Sequence, residues 1–300
     1  MTIKEVLKQL NQWNYSYEFY GSEDDEIIGF SDPKSYRYKT AIWIGKEEDI
    51  DFRKIKRKSD IELLLVKPGV INVDDYKNVI LTDVPKICFM KLVVYLNPSF
   101  INNNVESDVI KGSSVEIGDS YIGHRVIIGN NVHIGNKCKI CSDVFIGDDT
   151  VIGDNVVIGE KTIIGGETNG SSFTDTDGEM YIMPNLGGVE IRDNVQIGAN
   201  SIICKGTFSN TIIGRGCEIN AGCLIGHNCE IGDETLLLGR VTMHGNVSVG
   251  SHSKIISSII KNRVRIGDGV TVGIGSVVLK DIADNNTCFG NPARIVPLAK

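Results

Sequence analysis

The sequence predicts a mainly β fold, a left-handed parallel β-helix behind a small N-terminal α+β domain, on three observations. Aliphatic residues recur every six positions, with few slips, from Ile117 to Val278; glycine and Asn or Asp follow most of them; and no such rhythm runs before residue 101. A period of six fits neither the helical 3.6 nor the strand 2.0, so each unit reads as one short strand and one tight turn. With three units to a coil, residues eighteen apart lie one above the other at about the 4.8 Å spacing of paired strands. A left-handed coil departs from the usual right-handed crossover of parallel strands.

In chain order, residues 1–100 form the first domain. Val6, Leu7, Leu10 and Trp13 have helical spacing, the runs 40–44 and 61–66 read as short buried strands, and 86–96 as a helix with Pro85 near its first turn. Residues 97–104, with Pro98 and four asparagines, read as a linker. The coil domain spans 101–282, about twenty-four units in roughly eight coils, and 283–300 form a capping segment. Glycine and Asn or Asp tolerate the positive φ of a sharp corner, which is the expected reason for the 33 glycines. The rhythm breaks twice, at 166–188, a loop rich in Gly, Ser, Thr and Asp that carries Phe173, Tyr181 and Met183, and at 205–210. Insertions leave a solenoid at its corners and are often the part that binds.

Composition excludes some functions. A net charge of −7 argues against nucleic-acid binding, and no apolar run is long enough to span a bilayer. The first ten residues lack a signal peptide's apolar core, so the expected location is cytoplasmic, without membrane insertion. Of eight cysteines, Cys217, Cys223 and Cys229 repeat with the coil and read as stacked, buried or half-buried thiols. Cys138 and Cys141 form a C-x-x-C pair with no second pair at zinc spacing, and no metal site is expected.

The stretch 217–250 carries the chemistry. His227 stands two residues past Ile225, and Gly245 two past Met243, eighteen residues later. Stacking would set the Gly245 N–H beside the His227 imidazole. A neutral imidazole removes a proton from an attacking amine or hydroxyl, worth roughly 10² to 10⁴ in rate; an amide aimed at a developing oxyanion adds about 10² to 10³. The pair suits acyl transfer without a covalent intermediate. His244 adjoins Gly245 and is a candidate for the same cleft. His124, His133 and His252 have no partner at the eighteen-residue offset and read as surface residues. Zinc-dependent carbonic anhydrases with similar repeats place histidines in a close pair plus a third, a pattern absent here.

The segment 184–232, PNLGGVEIRDNVQIGANSIICKGTFSNTIIGRGCEINAGCLIGHNCEIG, resembles the UDP-3-O-acylglucosamine N-acyltransferases of lipid A synthesis, within the hexapeptide-repeat acyltransferases. The resemblance implies that His227 is the general base and Gly245 the oxyanion donor. It also implies an N-terminal domain that holds uridine by aromatic stacking, with Trp43 in place and Asp49 where a companion aromatic is expected; Trp43 equally suits a core. Asn220 stands for a family Asp seven residues before the base, Asn228 follows the base, Cys204-Lys205-Gly206 replaces D-R-G, and Arg263 replaces a second histidine. Asn220, Asn228 and His244 are the further substrate-binding candidates. The ending GNPARIV resembles acetyl-CoA-dependent hexapeptide transferases, which makes Arg263, Lys280 and Arg294 candidates for the coenzyme's phosphates.

The expected protein is a homotrimeric N-acyltransferase moving acetyl from acetyl-CoA, a co-substrate rather than a bound cofactor, to the amine of a nucleotide-linked amino sugar for a surface polysaccharide or lipopolysaccharide. The alternatives are a lipid A acyltransferase using acyl carrier protein and a non-catalytic scaffold.

Overall fold

The computed structural model describes residues 1–53, 55, 57–96, 104–167, 172–174, 177–182 and 184–296. The linker expected over 97–104 therefore lies, but for Asn104, outside the described residues. The chain divides into two compact units, Met1–Ser99 and Phe100–Lys300.

In the first unit, helix α1 (Ile3–Gln12) starts at a capping box in which Thr2 Oγ1 accepts from Glu5 N and Glu5 accepts from Thr2 N. It buries Ile3, Val6, Leu7 and Leu10. Strands β1 (Glu18–Tyr20), β2 (Gly29–Phe30), β3 (Thr40–Trp43), β4 (Leu63–Val66) and β5 (Val79–Leu81) form one sheet in the order β1-β5-β4-β3-β2. All neighbours are parallel except β1 and β5. Helix α2 (Pro85–Leu96) follows β5. Ala41, Leu63 and Leu65 face Ile3, Val6, Cys88 and Leu92 on one side of the sheet, whereas Ile42, Leu64 and Val66 face Ile44, Ile50 and Ile61 on the other. That alternation is the strand period of two, with both faces covered.

The second unit is the solenoid, a left-handed β-helix with three flat faces. Among the described residues, face one has nine strands, from Ile110–Lys111 to Val277–Val278; face two has eight, from Glu116–Ile117 to Arg265–Ile266; and face three has ten. These make eight complete coils and part of a ninth. The tenth strand of face three, Arg294–Val296, runs antiparallel to Thr287–Phe289 and closes the stack. One aliphatic side chain per strand points inward, Ile134 over Ile117 and Ile152 over Ile134, and these rows form a single continuous core. Each fully buried aliphatic contributes about 1.5–3 kcal/mol.

Two expectations need correction. Positive φ belongs mostly to the residue three past the aliphatic, such as Asn131, Asp149, Asn155 and Asn228, and to Arg125 and Lys137 as well. The glycine directly after the aliphatic has a different cause, the close approach of the next coil: a Cβ on Gly226 would lie 2.6 Å from Gly245 N and 2.7 Å from His244 C. Cys217, Cys223 and Cys229 are all buried, but six-residue spacing sets them at successive corners of the triangle rather than in one stack. All eight cysteines are buried, and burial pushes every thiol up, Cys217 to about 11 and Cys229 to about 12.

Candidate active site

Each corner residue two past the inward aliphatic has an N–H that points along the stack, and the corner between faces two and three shows how it is normally satisfied. Asp119 N donates to Asn136 Oδ1 (3.0 Å), Asn136 N to Asp154 Oδ1 (2.7 Å) and Asp154 N to Asp193 Oδ1 (2.9 Å). The ladder continues with Arg215 N to Asp233 Oδ1 (2.8 Å), Ser251 N to Asp268 Oδ1 (2.6 Å) and Asp268 N to Asp284 Oδ1 (3.0 Å). A short Asp or Asn side chain thus caps the amide of the coil beneath on six rungs, and the ladder is interrupted where Arg215 and Ser251 stand above Asp193 and Asp233.

The corner between faces one and two begins the same way, with Ser113 N to Asn130 Oδ1 (2.9 Å) and Asn130 N to Asp148 Oδ1 (2.7 Å). Above that it changes. Through the register pairs Ile164–Ile203, Ile203–Ile225, Ile225–Met243, Met243–Ile260 and Ile260–Val278, the corresponding positions are Gly166, Lys205, His227, Gly245, Asn262 and Lys280. Both breaks in the six-residue rhythm leave the coil along this one edge, directly beneath His227.

Here His227 and Gly245 meet. A methyl group on Gly245 would overlap the imidazole at Nε2, Cε1 and Cδ2, so the ring occupies the space that a side chain on Gly245 would fill. Gly245 O accepts from Arg263 N (3.1 Å), while among the described residues Gly245 N–H has no acceptor. On the other side of the half-buried ring, Nδ1 lies 2.9 Å from Asn228 Oδ1 and 3.4 Å from Thr207 Oγ1. The Asn228 amide is oriented by four further contacts. Its Oδ1 accepts from Thr207 N (3.0 Å), its Nδ2 donates to Ser209 O and Oγ (3.1 and 3.0 Å), and its own N–H donates to Thr211 Oγ1 (2.9 Å). Because Oδ1 can only accept, His227 Nδ1 carries the proton and Nε2 keeps a free lone pair turned toward Gly245. The arrangement presents a base on one coil and an unused amide donor on the next.

The remaining candidates are dispersed. Asn228 touches the imidazole, but its side chain is taken up by the 205–210 loop, which makes it a positioning residue. His244 is exposed at the same corner, next to Gly245, and its main-chain O accepts from Cys229 Sγ (3.2 Å). Asn220 is not brought to His227; it follows the face-three strand Glu218–Ile219, so the width of face one separates it from the histidine. Arg263 and Lys280 are exposed on the His227 edge, one and two coils beyond Gly245. Lys280 and Arg294 line one hollow of roughly 430 Å³ with Leu279, Ile282, Pro292 and Ile295. Trp43 belongs to the first unit, half-buried at the end of β3, with Lys86 Nζ 5.6 Å from its ring centroid. Asp49 caps its own loop, accepting from Gly45 N and Lys46 N, both at 3.1 Å.

Other histidines pair with acids on the neighbouring coil: His124 with Asp108 (3.2 Å), His133 with Glu116 (3.2 Å) and His252 with Glu234 (3.4 Å). This corrects the expectation of no partner at the eighteen-residue offset, since Glu234 stands eighteen residues before His252, and Glu106, 3.8 Å from His124 Nε2, eighteen before His124. Cys229 is two residues from His227, yet its thiol faces the interior with its pKa pushed up by burial, which rules it out as a nucleophile. Among the described residues no three metal-ligating side chains cluster and no helix is long and apolar enough to cross a membrane. The missed residues were Thr207 and Ser209; the break in the six-residue rhythm at 205–210 was the signal that pointed to them.

The chain resembles nucleotide-sugar acyltransferases over part of its length. The UDP-3-O-acylglucosamine N-acyltransferase of Bordetella parapertussis is 30% identical over 102 residues, 34% of this chain and 28% of that protein. Its counterpart in Herminiimonas arsenicoxydans is 28% identical over 133 residues, 44% of this chain and 37% of that one. The match thus spans between a quarter and two fifths of these curated relatives. Among solved structures, the UDP-N-acetylglucosamine O-acyltransferase of Moraxella catarrhalis superposes with a TM-score of 0.57 at 28% identity, over 64% of this chain and 73% of that chain. The UDP-N-acetylglucosamine acyltransferase of Francisella novicida gives 0.58 at 26%, over 64% and 70%. No family model matches.

Proposed function

We propose that this protein is an N-acyltransferase that moves acetyl from acetyl-CoA to the amine of a nucleotide-linked amino sugar in surface polysaccharide or lipopolysaccharide synthesis. The observation that carries the reading is the His227 imidazole, with Nδ1 2.9 Å from Asn228 Oδ1 and Nε2 turned toward a glycine whose N–H has no acceptor among the described residues. Nε2 takes a proton from the amine as nitrogen attacks the thioester carbonyl. The Gly245 N–H stabilises the oxyanion that forms. Collapse of that intermediate forms the amide and breaks the C–S bond, and the imidazolium returns its proton to the departing thiolate. No acyl-enzyme is required.

Lys280, on the edge that carries His227, and Arg294 line one hollow, with Asp281 also in its wall, and the two cations support a phosphate-bearing donor. The relatives are named for nucleotide-linked sugars, which supports that class of acceptor. We assign the pyrimidine or purine ring to the first unit, with Trp43 as the stacking group.

A homotrimer is supported by the outer surface of face one. Ile127, Phe145, Ile163, Ile202, Leu224 and Ile259 project outward from successive coils, each 36–46% exposed, with Thr242 as the one polar rung between Leu224 and Ile259. The corresponding row on face two includes Glu116, His133, Glu190, Glu230 and Arg265. An apolar stripe of this length on one face only suits packing against other copies, and it borders the histidine edge.

The test is a thioester-turnover assay offering acetyl-CoA or acyl carrier protein loaded with a long acyl chain, against UDP-linked sugars bearing a free amine or only hydroxyls. Acetyl transfer to the amine is expected. Turnover only with acyl carrier protein, or only on hydroxyls, would replace the donor or the acceptor in this reading; no turnover with any pair would favour a scaffold.

A further inference from the structure

We infer that Thr207 is the positioning residue through which the returning limb of the 166–188 insertion sets the tautomer of His227. The inference rests on His227 being the base, and it concerns what holds that base ready.

A continuous set of hydrogen bonds leads from the limb to the ring. Leu186 N donates to Thr207 O (2.7 Å), Gly187 N is shared between Gly206 O (3.0 Å) and Thr207 O (3.2 Å), and Gly188 N donates to Asn210 Oδ1 (2.9 Å). In return, Gly206 N and Thr211 N both donate to Gly188 O at 3.1 Å. At its root the same insertion is tied to the 205–210 loop by Lys205 N donating to Gly166 O (3.2 Å) and by the Lys205–Glu167 ion pair (3.1 Å). Thr207 then passes the constraint on: its N–H holds Asn228 Oδ1 and its hydroxyl lies 3.4 Å from His227 Nδ1. Every backbone polar group of Thr207 is thus used, the carbonyl toward the insertion and the amide toward the group that accepts the Nδ1 proton.

A purely structural corner needs none of this, since the corner between faces two and three is held by single Asp or Asn caps, interrupted at Arg215 and Ser251, with no inserted loop. On the histidine edge the two insertions replace that ladder and converge on one imidazole nitrogen. If the limb moves, Thr207 O and then Asn228 Oδ1 lose their fixed positions, the Nδ1–H loses its acceptor, and the proton becomes free to sit on Nε2, where the ring cannot act as a base.

The test uses the full chain with 15N-labelled histidine and long-range proton–nitrogen correlation, which reads tautomers without any substrate. Wild type is expected to show His227 protonated at Nδ1. Thr207→Val removes the hydroxyl, and Leu186→Pro removes the shorter of the two donors to Thr207 O, at an exposed side chain. Both should bring up the Nε2–H form and lower kcat about tenfold with KM changed less than twofold, as expected for loss of one orienting hydrogen bond; Thr207→Ser should restore the wild-type pattern. A His227 that is protonated at Nε2 in wild type, or at Nδ1 alone in all three variants, overturns the inference. The two ideas separate cleanly: if the tautomer shifts as stated while His227→Gln keeps full turnover, the relay stands and the base assignment fails.

Discussion

Two edges of one prism use the same backbone for opposite purposes. Between faces two and three, Asp or Asn side chains cap most of the amides beneath them, with interruptions at Arg215 and Ser251. Between faces one and two the same ladder runs through Ser113, Asn130 and Asp148, then gives way to Lys205, His227 and Gly245. On the histidine edge a ring stands where Asn130 and Asp148 stand lower down and an absent side chain follows it, which brings the two groups of the proposed mechanism, His227 Nε2 and the Gly245 N–H, to one corner.

The most severe way to break the comparison is His227→Ala, expected to lower kcat by roughly 10² to 10⁴ while leaving the melting curve nearly unchanged; a variant with full turnover would show that the edge is not catalytic. Next is Gly245→Ala, whose methyl must displace the imidazole; a loss of about 10² or more is expected, and a crystal structure should show the ring turned away. The double change His227→Asn with Gly245→Asp rebuilds the Asn130–Asp148 rung on the active edge. It should abolish turnover and raise stability by about 0.5–1.5 kcal/mol, the net worth of one restored hydrogen bond, read from denaturant midpoints. The converse, Asp154→Ala on the capped edge, should cost about 1 kcal/mol or less and leave kcat/KM alone, because water replaces the exposed cap. A fall in kcat/KM there would mean the edges are coupled.

The third edge supplies the smallest effect. Arg125 forms a fork with Asp143 (2.6 and 2.8 Å), holding that carboxyl below its ordinary range. A carboxyl depressed in the folded state stabilises above its unfolded pKa and ceases to do so as pH falls through the folded value. The small melting-temperature gap between wild type and Asp143→Asn should therefore be full at neutral pH and close below about pH 4.

Much of this architecture could be read from spacing. The six-residue recurrence gave the coils, and the eighteen-residue offset between His227 and Gly245 survives because no insertion lies between Ile225 and Met243. Counting fails where insertions intervene: Ile164 lies beneath Ile203 at an offset of thirty-nine, so the shared edge of the two breaks became visible only in three dimensions. Asn220 is a candidate only through a family position seven residues before the base, and one unit more turns the chain past a corner. Asn228 was read as a substrate group because its amide partners lie some twenty residues back, in a stretch with no rhythm of its own. For Trp43 the sequence left core and stacking open, and its ring is half-buried against the core of the first unit with Lys86 Nζ 5.6 Å from its centroid.

The sheltered thiols have a practical consequence. With every native thiol buried and its ionisation disfavoured, thiol-alkylating dyes at neutral pH should ignore the wild-type chain. A single cysteine introduced at exposed Phe208 would then be the only reactive handle on the molecule. A fluorophore attached there would report, in real time and without stripping out native residues, when the loop beside the histidine meets its ligands.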